Sequence, residues 1–262
     1  MAASGGDLGR PTALVTGGRR GIGRASAFAL AEVGFDVVIN DLARDADAEE
    51  TLDGIAKRGG GAQFVRGDLA DLAQHERIVA QSWAAFGGVA CLVNNAGVSV
   101  LNRGDLLDVS VESWDRCLGI NLRGTFFLTQ RMARRMIDAG PDRGARSIVT
   151  ITSANAEMVS IDRGEYCVAK TGLSMVSQLF AVRLADQGIA VYEVRPGVIR
   201  TDMTRPAAER YQRRIDEGLS PIRRWGEPAD VGRAVASLAS GAIPFAPGQI
   251  VTVDGGLHIN RL

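Results

Sequence analysis

The sequence predicts an α/β fold: a single domain built on a doubly wound, seven-stranded parallel sheet with helices on both faces. Three observations lead there. Seven short apolar runs rich in β-branched residues recur along the 262 residues, nearly continuous in hydrophobicity instead of alternating, as strands buried on both faces are. Longer segments with helical spacing separate them, and strand alternating with helix gives right-handed βαβ crossovers. No linker-like shift in composition divides the chain.

In chain order the strand candidates are Ala13–Thr16, Val37–Asn40, Gln63–Arg66, Cys91–Asn94, Ile148–Ile151, Val191–Val194 and Ile250–Val253. The helical spacings lie at Ile22–Val33, Leu72–Phe86, Trp114–Met136, Ala169–Gln187 and Pro228–Ser240. One stretch breaks the rhythm. Asp202 to Gly226 carries Arg205, Arg210, Arg213, Arg214, Arg223 and Arg224 and no strand pattern. A long excursion between a late strand and the next helix reads as a substrate lid, although its charges also suit a solvated helical face. Met1 to Arg10 is Gly- and Ser-rich without an apolar run, and reads as a flexible end rather than a signal peptide.

Bulk chemistry narrows the function. Thirty basic residues balance thirty acidic ones, so no global field favours nucleic acid or a membrane surface, and small-molecule chemistry fits better. Cys91, Cys117 and Cys167 are too few and scattered for a disulfide framework or a zinc site. No apolar stretch approaches the roughly 18 residues a membrane span needs. A cytoplasmic protein is expected.

Thr16-Gly17-Gly18-Arg19-Arg20-Gly21-Ile22-Gly23 follows the first strand and opens a helix, the setting in which a dinucleotide fingerprint operates. Its glycines permit a tight turn and close approach to a pyrophosphate, whose charge is met by helix N–H groups. An ordinary glycine turn explains those residues equally well by themselves. Asp41 shifts the balance: it ends the second strand 18 residues after Gly23, near the roughly 20 expected of the acid that binds a ribose diol. A carboxylate there repels a 2′-phosphate, which favours NAD(H) over NADP(H). Arg19 and Arg20 push the other way, since guanidinium groups hold that phosphate well, so NADP(H) stays possible.

Tyr166 and Lys170 are four residues apart in a helical segment, so both emerge on one face. A phenol titrates at about 10, and a neighbouring ammonium lowers that value, so the pair can move a proton to or from an alcohol oxygen. Ser153, 13 residues earlier at the end of the fifth strand, is placed to donate to the same oxygen. By itself such a Tyr and Lys pair also describes a surface helix.

Together Thr16-Gly-x-x-x-Gly-Ile-Gly23, Asn94-Asn-Ala-Gly97, Asn121, Ser153, Tyr166-x-x-x-Lys170 and Pro196-Gly197 resemble the short-chain dehydrogenase/reductase family in order and spacing, from about Thr12 to Gly256. The resemblance implies a Rossmann-type sheet, a homotetramer or dimer, and hydride transfer between a nicotinamide cofactor and a secondary alcohol or ketone, without a metal. It implies Tyr166 as acid/base, Ser153 as the group that polarises the carbonyl, Lys170 as ribose ligand and depressor of the tyrosine pKa, and Asn121 as holder of a relay water. Cofactor contacts are implied at Gly17, Arg19, Arg20, Gly21, Ile22, Gly23, Asp41, Asp68, Leu69, Asn95, Ala96, Gly97, Pro196, Gly197, Ile199 and Thr201. Asp68 resembles the adenine contact, and Asn94 suits a sheet-stabilising hydrogen bond as well as a cofactor role.

Other residues carry weaker expectations. Cys167 points away from Tyr166's face. His75 reads as helix surface, and His258 as a structural histidine that could instead reach a neighbouring subunit. Pocket walls are expected from Val98 to Arg103, Ala154 to Glu165 and the lid. The general pattern also resembles 3-oxoacyl-thioester reductases, for which Arg131, Arg134 and Arg135 offer a carrier-protein face. Sugar or polyol dehydrogenases fit as well, and a nucleotide-binding regulator without catalysis is the alternative outside the class.

Overall fold

The computed structural model describes residues 9–140 and 144–261. Met1 to Leu8, most of the expected flexible end, lie outside the described residues, while Arg10 pairs with Asp36 at 3.2 Å. All seven predicted strands form: β1 (Thr12–Thr16), β2 (Asp36–Asp41), β3 (Ala62–Arg66), β4 (Cys91–Asn94), β5 (Arg146–Ile151), β6 (Ile189–Pro196) and β7 (Ile250–Val253). They make one parallel sheet in the order β3-β2-β1-β4-β5-β6-β7.

The pleat sends alternate residues to two cores. Ala13, Val15, Val37 and Ile39 face α1 (Gly21–Glu32), α2 (Ala46–Lys57) and α8 (Pro228–Ala239). Leu14, Val38, Leu92 and Ile148 face α3 (His75–Ala85), α5 (Thr125–Asp138) and α6 (Gly164–Leu184). A helix layer on each face is why the strands read as unbroken apolar runs.

Three helical features differ from expectation. Helix α2 has no counterpart among the predicted segments: it buries a narrow stripe that includes Leu52 and Ile55. Its ends are built by charge, with Asp45 capping Ala48 N at 3.2 Å, Asp47 and Glu49 in the first turn and Lys57 in the last. The predicted Trp114–Met136 helix is α4 (Val111–Leu118), a π turn over Gly119–Gly124, and then α5. At Gly124 an added Cβ would lie 2.3 Å from the Leu69 carbonyl oxygen, so glycine is required where the loop after β3 crosses the π turn. Helix α6 begins at Gly164 instead of Ala169, so Tyr166 lies in its first turn.

Residues 202–226 contain α7 (Ala208–Asp216), which packs Tyr211 and Ile215 against Trp225 in a small core of their own. His75 corrects the surface reading. It is fully buried with Nε2 2.9 Å from the Leu69 carbonyl, and burial pushes its pKa below the ordinary histidine value. No described helix is long and apolar enough to cross a membrane.

Candidate active site

Strands β1 and β4 are neighbours, and chain order runs outward from them in opposite directions. The carboxyl ends at such a reversal open a crevice. Here it is a cleft of about 910 Å³ reaching from Gly17 and Asp41 to Tyr166 and the 202–226 segment.

The glycine turn closes one end. Gly17 and Gly21 have φ of 61° and 58°, and a Cβ on Gly23 would stand 2.0 Å from the Gly17 carbonyl oxygen. Gly23 therefore permits the turn without itself lining the cleft, as Gly17, Gly21 and Ile22 do. Asn95 lines the cleft and also holds the turn: its Nδ2 donates to the Thr16 and Gly17 carbonyls at 2.9 and 3.0 Å. Arg20, at the N-cap of α1, makes no side-chain cap bond, and Gly21 and Ile22 of the first helical turn line the cleft. This cradle suits a dinucleotide pyrophosphate.

At the same end of the cleft Asp41 Oδ2 accepts from Arg19 N at 3.2 Å and Oδ1 from Leu42 N at 2.8 Å. Arg19, Arg20 and Arg24 have acid partners, whereas Arg66, the cross-strand neighbour of Asp41, donates Nε to the Leu42 carbonyl at 3.0 Å and has no acid partner among the described residues. Arg19 Nε lies 3.7 Å from Asp41 Oδ1 while its Nη1 bonds Asp45. Arg20 pairs with Asp202 at 3.1 Å, and Arg24 with Asp47 at 3.2 Å and Glu50 at 2.8 Å. Asp68 accepts from Ala70 N at 2.8 Å beside the cleft, and Leu69 is buried under it. Ala96, Gly97, Pro196, Gly197, Ile199 and Thr201 line the cleft further along. Asn94 lies behind the wall, donating to Thr129 Oγ1 at 2.8 Å, and serves the sheet.

The structure brings the other predicted residues together at the far end. Ser153 caps the 3₁₀ turn after β5, accepting from Asn155 N at 3.1 Å, and lines the cleft together with Tyr166. Lys170 is buried, donates to the Ile151 carbonyl at 2.9 Å, and lies 5.7 Å from the Tyr166 ring centre. Burial pushes Lys170 down to about 8. Tyr166 departs from the expected depression: burial raises its pKa, and the opposing pull comes from the nearby Ser153 hydroxyl and the Arg163 charge. Enclosure between β5, α4 and the π turn desolvates both groups, which sequence spacing does not reveal.

Asn121, fully buried in the π turn, ties down the loop after β4. Its Oδ1 accepts from Val98 N at 2.7 Å, and its Nδ2 donates to Val98 O at 2.9 Å and Cys117 Sγ at 3.2 Å. Cys117 was not singled out in the sequence, although its four-residue spacing from Asn121 on a helix is a readable signal.

Of the expected walls, Met158, Val159 and Met203 line the cleft. Glu165 does not: it is buried with Oε1 2.5 Å from Ser113 Oγ. His258 bonds Asp254 Oδ2 of its own chain at 2.8 Å, and Cys167 Sγ faces the Ser160 carbonyl at 3.7 Å. A buried network went unread. Glu193, 1% exposed, accepts from Thr152 at 2.6 Å, Ser174 at 2.8 Å and Arg195 Nε at 2.5 Å, bracing the strand end that carries Ser153.

Residues 17–258 match the family profile described as enoyl-(acyl carrier protein) reductase. The chain is 48% identical to a crystal structure of 3-oxoacyl-[acyl-carrier protein] reductase from Brucella melitensis in complex with NAD, with a TM-score of 0.94 over 97% of this chain and 99% of that one. It is 37% identical to the L-rhamnose 1-dehydrogenase (NAD(P)+) of Azotobacter vinelandii over 95% of this chain and 97% of that protein. It is 31% identical to the 3-oxoacyl-[acyl-carrier-protein] reductase of Staphylococcus epidermidis over 95% and 99%. With its seven-stranded sheet and its cleft at the β1–β4 reversal, the chain belongs to the short-chain dehydrogenase/reductase family of NAD(P)-dependent oxidoreductases.

Proposed function

We propose that the protein interconverts a secondary alcohol and its ketone, using NAD(H) in preference to NADP(H). The observation that carries this reading is the convergence of Ser153, Tyr166 and Lys170 on the opposite end of the cleft from the glycine cradle. A nicotinamide dinucleotide bound along the cleft supplies the hydride acceptor or donor.

The chain's own groups handle the proton. Tyr166 takes the alcohol proton at its phenol oxygen, or returns one to the carbonyl oxygen during reduction. Ser153 donates a hydrogen bond to the same oxygen and meets the charge that develops there. Lys170, with a pKa of about 8, is largely an ammonium near neutrality, and its charge favours the phenolate as the proton arrives from substrate. Asn121 is a positioning residue: by holding Val98 it fixes the wall beside Lys170, and a water held nearby would pass the lysine's proton to solvent. Residues 202–226 act as the substrate lid, anchored to the cofactor turn through Arg20 and Asp202.

The NAD preference rests on charge. Asp41 occupies the position of a ribose-binding acid, and Arg19, Arg20 and Arg24 are each matched by carboxylates, which leaves the Asp41 charge to oppose a 2′-phosphate. Association into a homotetramer is supported by the apolar side chains Met175, Leu179 and Val182 that α6 exposes.

Kinship favours a 3-oxoacyl-thioester reductase as second reading. Against it, part of the expected carrier face is engaged: Arg131 pairs with Glu76 at 3.3 Å and Arg135 lies over Trp83 at 5.4 Å. A sugar dehydrogenase draws support from the rhamnose enzyme. The test is absorbance of the reduced nicotinamide with a broad panel of alcohols and ketones, each with both cofactors. Turnover with NAD(H) is expected, and cofactor binding without turnover across the panel refutes the reading in favour of a regulator.

A further inference from the structure

Beyond Tyr166 the cleft wall is basic. Arg163 stands in the turn before α6 with its guanidinium carbon 5.4 Å from the Tyr166 ring centre, Arg103 comes from the loop after β4, and Arg210 from α7; all three line the cleft. One carboxylate answers them. Asp162 Oδ2 lies 3.2 Å from Arg103 and 3.0 Å from Arg210. Among the described residues Arg163 has no carboxylate partner, and its hydrogen-bond acceptor is Ser160 Oγ at 3.3 Å. The neighbouring acids are turned elsewhere: Glu165 to Ser113, Glu157 to Arg195, Asp202 to Arg20 and Arg205.

Three guanidinium groups against one carboxylate leave a net excess of two positive charges on the substrate side of the phenol. The excess is felt locally. Tyr211 is buried, which pushes its phenol pKa up, yet the charges of Arg163 and Arg103 and hydrogen bonds from Arg103 and Arg210 bring it below the ordinary tyrosine value. Surface arginines serve solubility, but Arg103 and Arg163 are half-buried inside the catalytic cleft, where like charges repel unless an anion joins them. A planar guanidinium matches a carboxylate through two parallel N–H···O bonds.

We propose that the substrate carries a carboxylate, and that Arg163, flanked by Arg103 and Arg210, is the subsite that holds it. The substrate is then a short hydroxy acid or its oxo acid, a specification that rests on the alcohol–ketone reading above. In oxidation the carbinol C–H bond breaks, the hydride goes to the nicotinamide, and the hydroxyl proton goes to Tyr166. The carboxylate is unchanged, and one oxo acid, one reduced cofactor and one proton result.

The test uses the full chain with NAD. A series of short hydroxy acids, among them 3-hydroxybutyrate and gluconate, is compared with the matching primary amides. Both kcat/KM and calorimetric binding to the cofactor complex are measured for wild type, Arg163→Met and Arg163→Lys. At least one acid should be bound and oxidised roughly ten- to a hundredfold better than its amide, the worth of a charge-assisted hydrogen-bonded pair. That acid-to-amide ratio should fall towards one in Arg163→Met and partly recover in Arg163→Lys; any effect through Tyr166 is common to both compounds and cancels. Arg163-dependent binding of acids without turnover upholds the subsite and defeats the dehydrogenase reading. Amides turned over as well as acids, with the ratio unmoved by Arg163→Met, overturn the subsite and leave the dehydrogenase standing. Failure of every acid to bind also overturns it, as does Arg163 dependence confined to acetoacetyl-coenzyme A, whose anionic phosphates lie far from its carbonyl.

Discussion

Replacing Asp41 with Asn should reverse the cofactor preference. The change keeps the side chain's size and one of its two acceptor oxygens, so the bond from Leu42 N, now 2.8 Å, can be kept, while the one from Arg19 N, now 3.2 Å and made to the other oxygen, is lost. What disappears is one negative charge where the ribose hydroxyls lie. At about 4 Å and an effective dielectric near 20, a carboxylate repels each unit of 2′-phosphate charge by about 4 kcal/mol, and partial exposure and salt reduce that to roughly half. The same substitution releases Arg19, whose Nε is 3.7 Å from Asp41, to face the phosphate with only Asp45 as partner. NADH loses charge-assisted hydrogen bonds to its diol, worth about 1.5–3 kcal/mol each. The ratio of NADPH to NADH affinity should therefore rise by at least about a hundredfold, since 1.4 kcal/mol is a factor of ten. Fluorescence titration of both reduced cofactors against wild type and Asp41→Asn measures it. A ratio that moves less than about fivefold, or a wild type that already binds NADPH more tightly, refutes the reasoning.

Lys170 and Glu193 give further predictions. Because Lys170 has a folded-state pKa of about 8 against an ordinary 10.5, the unfolded chain binds more protons between those values and stability rises with pH there. The ammonium's cost, roughly 3 kcal/mol, is full below pH 8 and absent above 10.5. Cofactor-free Lys170→Met should gain stability relative to wild type at pH 7, with the difference narrowing through this window in urea denaturation; a difference constant with pH contradicts the assignment. Glu193→Ala leaves the buried Arg195 guanidinium with the exposed Glu157 and the Ser174 hydroxyl as its partners, and should cost about 3 kcal/mol, the lower end for a broken buried pair. Urea denaturation at pH 7 checks it, and a loss below about 1 kcal/mol would show that the network is not a structural brace.

The strands were legible because burial on both faces writes itself as continuous apolar runs, and Tyr166, Lys170, Ser153 and the glycine turn because close approach and proton transfer tolerate few residue types. What escaped depends on contacts between distant segments. Helix α2 shows too narrow an apolar stripe for periodicity, although Asp45, Asp47, Glu49 and Lys57 mark its ends. The π turn exists where Gly124 meets the backbone of Leu69, and His75 is buried because that same loop brings it a carbonyl. Arg19 read as a candidate phosphate ligand because its pairing with Asp45 spans two helix starts. Tyr166 and Lys170 had the right spacing, but the sign of the shift on Tyr166 follows from enclosure, which four-residue spacing does not encode.

The central claim is that the Tyr166 phenol carries the proton of the redox reaction. Tyr166→Phe removes one oxygen and leaves the ring packed against Cys117 and Ala169. With a substrate identified in the panel, the variant should bind NADH within about threefold of wild type and lose general acid–base catalysis worth about 10²–10⁴-fold in kcat. A variant that binds cofactor normally and still turns over at more than about a tenth of the wild-type rate contradicts the claim.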